Sequence, residues 1–593
     1  MMPANFVVGI DLGTTNSVVA YAPLESEQAE VELLELPQLI AANTVDNRHS
    51  LPSFCYLGGD AEKSQQSLDL PWAADRDFAV GEIARRQSAD APDRTVGGAK
   101  SWLSHHKVDR QAPILPWNAP EGMPKISPVE ATRRYLEHLV AAWNAKFPES
   151  PLAEQTVVLT VPASFDASAR ELTREAATGA GLPDTLVLLE EPQAAVYAWL
   201  NHWDDKWRKQ LKVNDRLLIC DVGGGTTDLT LVEVDEEGGE LSLRRVAVGN
   251  HLLVGGDNMD LALAFDVSTL FADKGVNLDP WQSVSLWHSC RAAKESLLQD
   301  EGAEAHPVSV LGRGSKLIGG TVTVDVPRDR AMQLLLDGFF PKCGADAHPE
   351  RGHASGFQEL GLPYESDPAI TRHLATFLQA HRDDENKPVT HVLFNGGVFK
   401  SDAFQDRLME VLADWSSEAP QRLAGPHDLD YAVARGATYY GWAKKHGGIR
   451  IRGGTARAYY IGVERAGLAI PGAPRPLNLV NVVPIGMEEG TSIHVPSQEV
   501  GLVVGETAKF RFFSSPIRKD DQPGLALQRW EEEEISETDP LETLLTKDEA
   551  IQESYVPVNF ESKITELGQL ELWCVSPRTG GRWKLEFNVR EDD

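Results

Sequence analysis

The sequence predicts an α/β chain of two like lobes followed by a smaller, mostly β domain. Three observations carry that expectation. An apolar run ending in Asp, a glycine turn with threonines and a second apolar run occurs twice: VVGIDLGTTNS at 7–17 and LLICDVGGGTTD at 217–228. Strand-like and helix-like stretches alternate from Phe6 to about residue 445, the pattern of an α/β architecture. Beyond Lys445 come short strand-like runs punctuated by turn residues, which read as all-β.

In chain order, each copy of the repeated stretch reads as a β-hairpin with a small polar tip, continued by Val18 to Ala22 and by Leu229 to Val234. Thr156 to Val161 reads as a strand ended by Pro162, and a helix follows with Asp166 as N-cap and Arg170 in its early turns. Val187 to Leu189 leads through Glu190-Glu191-Pro192 into the Ala-rich helix QAAVYAWL. Further helices are expected over about Trp281 to Gln299 and Arg328 to Phe340, and Lys342 to Asp367 reads as a loop insertion because Gly, His and Pro break any period. Val389 to Leu393, then Phe394-Asn395-Gly396-Gly397, then a helix near Ser401 or Asp402, is a strand, Gly-Gly and helix N-terminus that lets backbone approach a nucleotide closely. The basic, Gly-rich run 446–454 reads as a linker that stays hydrated and docks weakly, so domains are expected at 1–445 and 455–593. Strands are expected at Ala458 to Val463, Gly501 to Phe513, Gln569 to Val575 and Arg582 to Val589, and the acidic span from Arg529 to Ser554 reads as a solvated loop or edge helix.

The bulk numbers narrow the function classes. The chain has 593 residues and a formal net charge of −32, which disfavours nucleic acid or an anionic membrane as principal partner. No cationic leader precedes the strand at Phe6, and no apolar run is long enough to span a bilayer. The five cysteines are widely spaced and form no CxxC, which suggests reduced thiols in the cytoplasm. Cys343, His348 and His353 have a spacing that suits zinc, but no fourth ligand is evident and the segment reads better as an exposed loop.

The chemistry of the repeated turn points to phosphate. Glycine tips bring backbone N–H groups close to an anion and threonine hydroxyls add donors. Two such tips facing each other would grip one polyphosphate, and an Asp before each turn, Asp11 and Asp221, would hold the waters of a Mg²⁺ ion. A duplicated turn suggests duplicated halves with the ligand between them. Other nucleotide motifs are missing: there is no GxxxxGK[ST], since Gly98-Ala99-Lys100-Ser101 lacks the leading glycine loop, and no GxGxxG opens a helix.

GIDLGTTNS at 9–17, VPASFDASAR at 161–170, LEEPQAAV at 189–196, CDVGGGTTD at 220–228 and FNGGVFKSDAFQ at 394–405 resemble, in order, motifs of the seventy-kilodalton heat-shock chaperone family. The resemblance implies a two-lobed, actin-like ATPase fold over residues 6–445. Carried over motif by motif, it implies ATP/ADP and Mg²⁺ as cofactors, with Asp11 and Asp221 on the metal. Gly13, Thr14, Thr15 and Asn16, with Gly223, Gly224, Gly225 and Thr226, would cradle the phosphates. Lys100 would contact the γ-phosphate and the attacking water, Glu191 would orient that water or take its proton, and Asp228 would assist, with Thr226 near the γ-phosphate. Gly255, Gly256, Lys294, Gly396, Gly397 and Asp430 would meet ribose and adenine, and Pro162 and Arg170 would relay nucleotide state to the surface.

The departures from the family pattern carry expectations too. Arg291, Glu295 and Leu298 stand where the purine helix carries an acid, a basic residue and a hydroxyl, and Lys400 replaces a stacking arginine. A looser hold on adenine follows, with no very slow product release. Ala458 to Glu464 and Val483 to Pro496 distantly resemble the start of the family's β-sandwich substrate domain, and Phe560 to Val589 a later strand pair, with no sign of its helical lid. The implied function is a slow ATPase that controls polypeptide binding, with client polypeptides, a J-domain protein and a nucleotide-exchange factor as partners. The competing readings are a nucleotide-switched scaffold or filament of the actin superfold and a small-molecule kinase of that superfold.

Overall fold

The computed structural model describes residues 4–593 apart from 238–239, 300–301, 312–320, 351–360, 383–386, 426–427, 450, 466–475, 533, 545–554, 566 and 588–593. Lobe I is built on the strands β1 (Phe6–Leu12) and β2 (Asn16–Pro23), the short helix α1 (Ala99–Leu103), helix α2 (Pro128–Lys146), strand β3 (Thr156–Val161), helix α3 (Ala167–Gly179), strand β4 (Val187–Glu190) and helix α4 (Glu191–Trp203). β1 and β2 form the expected antiparallel hairpin, β3 lies parallel to β1, and β4 lies parallel to β3. Asp166 caps α3 by accepting from Ala169 N at 2.8 Å.

Lobe II repeats this arrangement. Its elements are β5 (Arg216–Val222), β6 (Thr227–Glu237), β7 (Glu240–Val248), the helices α5 (Gly256–Asp273) and α6 (Pro280–Leu297), β8 (His391–Asn395), α7 (Asp402–Trp415) and β9 (Gln421–Arg422), after which α8 (Ala432–His446) crosses back to pack on β1, β2 and β3 of lobe I and on α4. β5 and β6 form the second hairpin, with β8 parallel to β5 and β9 parallel to β8. The order β4-β3-β1-β2 in one sheet is matched by β9-β8-β5-β6 in the other, so the repeated sequence corresponds to a repeated topology. The strands that carry the glycine turns are almost wholly apolar and buried on both faces, with Val8, Ile10, Leu217, Leu218 and Ile219 fully buried, as suits central strands covered by helices on both sides.

The run 446–454 corrects the expectation of a loosely docked linker. α8 ends at His446 with Gly447 in the left-handed region, and Ile451–Arg452 then forms the strand β10, parallel to β7 at the sheet edge. Ile451 N donates to Tyr197 Oη at 3.0 Å. Ile449 and Ile451 pack against the buried cluster that includes Tyr197, Val234 and Leu243. Gly447 ends the helix, and the two isoleucines supply the apolar contact that composition alone obscures.

The C-terminal part comprises β11 (Ala458–Glu464), β12 (Leu477–Val483), β13 (Thr507–Ser515), β14 (Ser536–Leu544), β15 (Tyr555–Ile564), β16 (Leu570–Val575) and β17 (Arg582–Phe587), together with shorter strands including Val500–Val503. These join in one antiparallel sheet around Ile461, Val482, Phe512, Leu541, Val558 and Phe560. β14 corrects the expectation of a loop or edge helix for part of the acidic span. Asp539, Leu541 and Thr543 point inward in alternation, and Pro540 is accommodated where the register with β13 shifts between Phe510 and Phe512, as a bulge permits. Asp539 can be buried because Arg110 of lobe I donates to it at 2.6 Å. Among the described residues no helix is long and apolar enough to cross a membrane.

Candidate active site

The two hairpin tips face each other across a cleft of about 340 Å³, a size typical of small-molecule sites. A Cβ built on Gly224 would lie 2.0 Å from Thr15 Oγ1, so only glycine lets the second tip approach the first this closely. The start of α5 is tied to the second tip by Gly256 N→Gly223 O at 3.0 Å and Asp257 N→Gly224 O at 2.6 Å.

Asp11 and Asp221 stand at the ends of β1 and β5 and are oriented alike. Thr160 Oγ1, on the neighbouring parallel strand β3, donates to Asp11 Oδ1 at 3.2 Å. Asn395 Nδ2, on the parallel neighbour β8, donates to Asp221 Oδ2 at 2.7 Å. Burial pushes the Asp11 carboxyl up to about 7, with the charge of Glu191 adding to the shift. Burial, then Glu191, drives Asp221 well above the usual carboxylate range.

Lys100, on α1, forms a buried ion pair with Glu191 at the first residue of α4. Burial alone would depress the Lys100 ammonium, but Glu191 and Asp11 outweigh it and hold it above its ordinary value. Glu191 is raised by burial and by Asp228 despite the attraction of Lys100. Asp228 is buried, accepts from Ser164 N at 3.3 Å and is also raised by burial. Four carboxylates (Asp11, Asp221, Glu191 and Asp228) thus share one ammonium. That surplus is what a dication would offset, and the Asp11 and Asp221 oxygens suit a Mg²⁺ ion held through its own waters.

Behind this floor, Glu190 bridges two arginines. Arg170 donates to it at 2.9 Å, Arg245 pairs with its other oxygen, and together they hold its carboxyl below the usual range against the effect of burial. Arg245 also donates to Gly454 O, so the residue next to Glu191 is linked to the segment joining the two domains.

At the far end the cleft is lined by Lys294, Glu295, Leu298, Lys400 and Asp430. Arg291 Nη2 donates to Asp257 Oδ1 at 2.5 Å and its Nε to Asp260 Oδ2 at 2.9 Å, while Lys294 Nζ reaches Asp260 Oδ1 at 2.7 Å and Gly256 O at 2.7 Å. Lys400 pairs with Asp430 at 2.5 Å. This wall is satisfied largely by its own ion pairs, and Leu298 places an apolar side chain there.

The structure brings nearly all the residues singled out from sequence to this one cleft. Asp11, Gly13, Thr14, Thr15, Asn16, Lys100, Glu191, Asp221, Gly223, Gly224, Thr226, Gly256, Lys294, Gly396, Gly397 and Asp430 line it. Gly225, Gly255 and Asp228 stand behind the wall: Gly225 packs on Ser101 and Thr14, and Gly255 on the Gly223–Gly224 backbone. Sequence reasoning missed Thr160, Asn395, Asp257 and Asp260, whose roles follow from pairing register and helix contacts. Of the zinc candidates, His353 lies outside the described residues, and among the described residues no group of three metal-binding side chains exists.

Comparisons with known proteins agree with this geometry. The family model described as Hsp70 protein matches residues 71–317. The chain is 28% identical over 349 residues to a chaperone protein HscA homolog of Acinetobacter baumannii, covering 57% of this chain and 48% of that protein. It is 31% identical over 265 residues to the chaperone protein DnaK of Deinococcus radiodurans, covering 43% and 35%, and 27% identical over 321 residues to that of Stenotrophomonas maltophilia, covering 51% and 44%. The chain therefore spans less than half the length of these curated relatives. The paired turns, the duplicated sheets and these matches together make this part of the chain similar to the Hsp70 family.

Proposed function

We propose that the cleft binds Mg·ATP and transfers its γ-phosphoryl group to water, and that nucleotide state governs polypeptide binding by the β domain, as in a chaperone. The observation that carries this reading is the buried Lys100–Glu191 pair on the floor between two facing phosphate-type tips. Backbone N–H groups and hydroxyls of both tips would hold the phosphates. Lys100, kept charged, would neutralise charge building on the γ-phosphoryl oxygens, and Glu191 with Asp228 would orient the water and receive its proton. Asp11 and Asp221 would hold hydrated Mg²⁺, which when bound neutralises phosphate charge. Leu298 and the internally paired Arg291 and Lys400 would leave adenine with few direct polar partners.

Val503 and Tyr555, paired across adjacent strands, and Leu544 expose apolar surface on the β domain, which supports a role in holding unfolded polypeptide. A J-domain protein and a nucleotide-exchange factor are proposed partners, and the cytoplasm the proposed compartment. Single-turnover ATP hydrolysis, with and without an unfolded polypeptide, tests the whole reading. Hydrolysis that requires Mg²⁺ and responds to the polypeptide is expected. No ATP binding, with or without Mg²⁺, would overturn it.

A further inference from the structure

We propose that His251 is a positioning residue for hydrolysis, pinning the helix that carries Lys100 and the turn that contacts Asp228 to one point across the two lobes. The proposal rests on the ATPase reading of the cleft and concerns a residue that this reading does not use.

His251 belongs to lobe II, in the turn between β7 and α5. That turn is fastened to the strand carrying Asp228 through the preceding residue, since Thr227 N donates to Leu252 O at 3.0 Å and Thr227 Oγ1 to Val254 O at 2.8 Å. From there the imidazole reaches lobe I twice. Its Nε2 lies 2.9 Å from Ser104 Oγ, and its Nδ1 lies 2.6 Å from Ser164 Oγ. Ser104 follows α1 directly, one helical turn after Lys100, and its hydroxyl donates to Ser101 O at 2.9 Å. With that proton committed, Ser104 Oγ accepts from Nε2–H. In the neutral imidazole Nδ1 is then the acceptor towards the Ser164 hydroxyl, which also stands within hydrogen-bond reach of the Asp228 carboxylate. Ser164 in turn donates its backbone N–H to Asp228 at 3.3 Å.

The contacts close a ring through His251, Ser164, Asp228 and Thr227 back to the turn of His251, and Ser104 ties the end of α1, one helical turn after Lys100, to that ring. Phe165 packs edge-on against the imidazole at 5.6 Å. Burial, with the nearby Arg457 and Lys100 charges, pushes His251 down to about 4, so the ring stays neutral at physiological pH with one donor and one acceptor, as the two serines require. Lys100 and Asp228 come from different lobes, and the ring fixes their separation before any nucleotide arrives. Preorganisation of this kind acts on the transition state, where a misplacement of about 1 Å can cost up to roughly a hundredfold in rate.

The experiment is single-turnover hydrolysis at saturating Mg·ATP, with ATP affinity by calorimetry and melting temperature measured in parallel. His251→Ala is expected to slow hydrolysis about tenfold or more while ATP affinity changes by less than about twofold. Ser164→Ala and Ser104→Ala, which spare the imidazole packing, should each slow it in the same direction, and neither should add its full effect to His251→Ala. His251→Gln, with one amide donor and one carbonyl acceptor, should recover part of the rate. A rate within twofold of the parent in His251→Ala, or full additivity in the double variants, would overturn the proposal. Lys100→Ala separates the two levels. If it slows hydrolysis while His251→Ala does not, this proposal alone fails. If it leaves turnover unchanged, Lys100 is not part of the hydrolytic site and the proposal falls with it, whereas no hydrolysis by the parent would overturn the ATPase reading itself.

Discussion

Asn395 Nδ2 donates to Asp221 Oδ2 at 2.7 Å, and its partner in the other half, Thr160, donates to Asp11 Oδ1 at 3.2 Å. Asp221 and Asn395 are register partners on adjacent parallel strands, and Asp11 and Thr160 each directly follow such a pair, Ile10 and Leu159. The duplication therefore extends to the side chain that aims each metal-facing carboxylate, although one half uses an amide and the other a hydroxyl.

Groups that orient a metal-binding carboxylate typically contribute ten- to a hundredfold in metal affinity. Asn395→Leu should accordingly weaken Mg²⁺-dependent nucleotide binding by about tenfold or more, and Thr160→Val by less, because its bond is longer. Calorimetric Mg²⁺ titration at fixed ATP measures both. Equal affinities in parent and Asn395→Leu would show that Asp221 needs no aiming.

Lys100→Ala and Glu191→Gln should slow hydrolysis by on the order of a hundredfold while ATP binding changes far less. Both groups act mainly on the transition state, where charge gathers on the γ-phosphoryl group and a water proton is lost. Stopped-flow phosphate release and equilibrium ATP affinity separate the two effects. Full turnover in both variants would show that hydrolysis does not depend on the floor of the cleft.

Acid should destabilise the fold through two buried histidines outside the site. Burial, with Arg76 acting on His138 and Lys519 and Arg216 acting on His381, pushes each down to about 3, and the Nδ1 atom of each has no hydrogen-bond partner among the described residues. A folded value below the unfolded one means the unfolded chain takes the proton first. Their stabilisation is complete above about pH 6.5 and is lost progressively as pH falls towards 3. His138→Gln cannot titrate and should show a shallower fall in urea midpoint between pH 7 and pH 5. An identical pH slope in parent and variant would exclude the effect.

Arg110 and Asp539 form a buried bridge between lobe I and the β domain at 2.6 Å, and Arg110 also donates to Leu103 O and Ser168 Oγ. Removing one partner leaves a buried charge uncompensated, at a cost of about 3–5 kcal/mol. Arg110→Ala should therefore release the β domain, read as faster proteolysis between the domains. The paired change Arg110→Met with Asp539→Leu should restore much of the protection, because both charges go together. Unchanged proteolysis in Arg110→Ala would mean that docking is held elsewhere.

Much of this was legible locally. The hairpins, the Asp166 cap and the helix after Glu190 each follow from a few adjacent residues whose preferences agree. Lys100 and Glu191 are ordinary charges by composition, and only their place within ordered motifs singled them out. Thr160, Asn395 and His251 were opaque because their partners lie 149, 174 and 87 residues away in sequence. Their roles are products of strand register and of two lobes closing. The strand Ser536–Leu544 was hidden by Pro540 and its acids, which are tolerable there only because a bulge receives the proline and Arg110 receives Asp539.

The same lesson bears on communication between the domains. Read as composition, 446–454 is a flexible, hydrated tether across which ATP would change client affinity less than tenfold. In the structure Ile451 pairs with Leu243 and Arg452 with Arg244, so the segment extends the lobe II sheet. Arg245, the next residue of that strand, binds both Gly454 O and Glu190, the neighbour of Glu191. A shift of the segment would thus act on Arg245 and, through it, on the start of the helix that bears Glu191. ATP should change the affinity for an unfolded client by tenfold or more, a coupling free energy of at least about 1.4 kcal/mol. Ile451→Asp, which places a charge in the apolar contact with the lobe II cluster, should reduce that ratio to near unity while leaving client binding in ADP intact. Fluorescence titration of a labelled unfolded client in ATP and in ADP measures both. A parent ratio below tenfold, or an Ile451→Asp ratio equal to it, would show that the docked strand carries no signal.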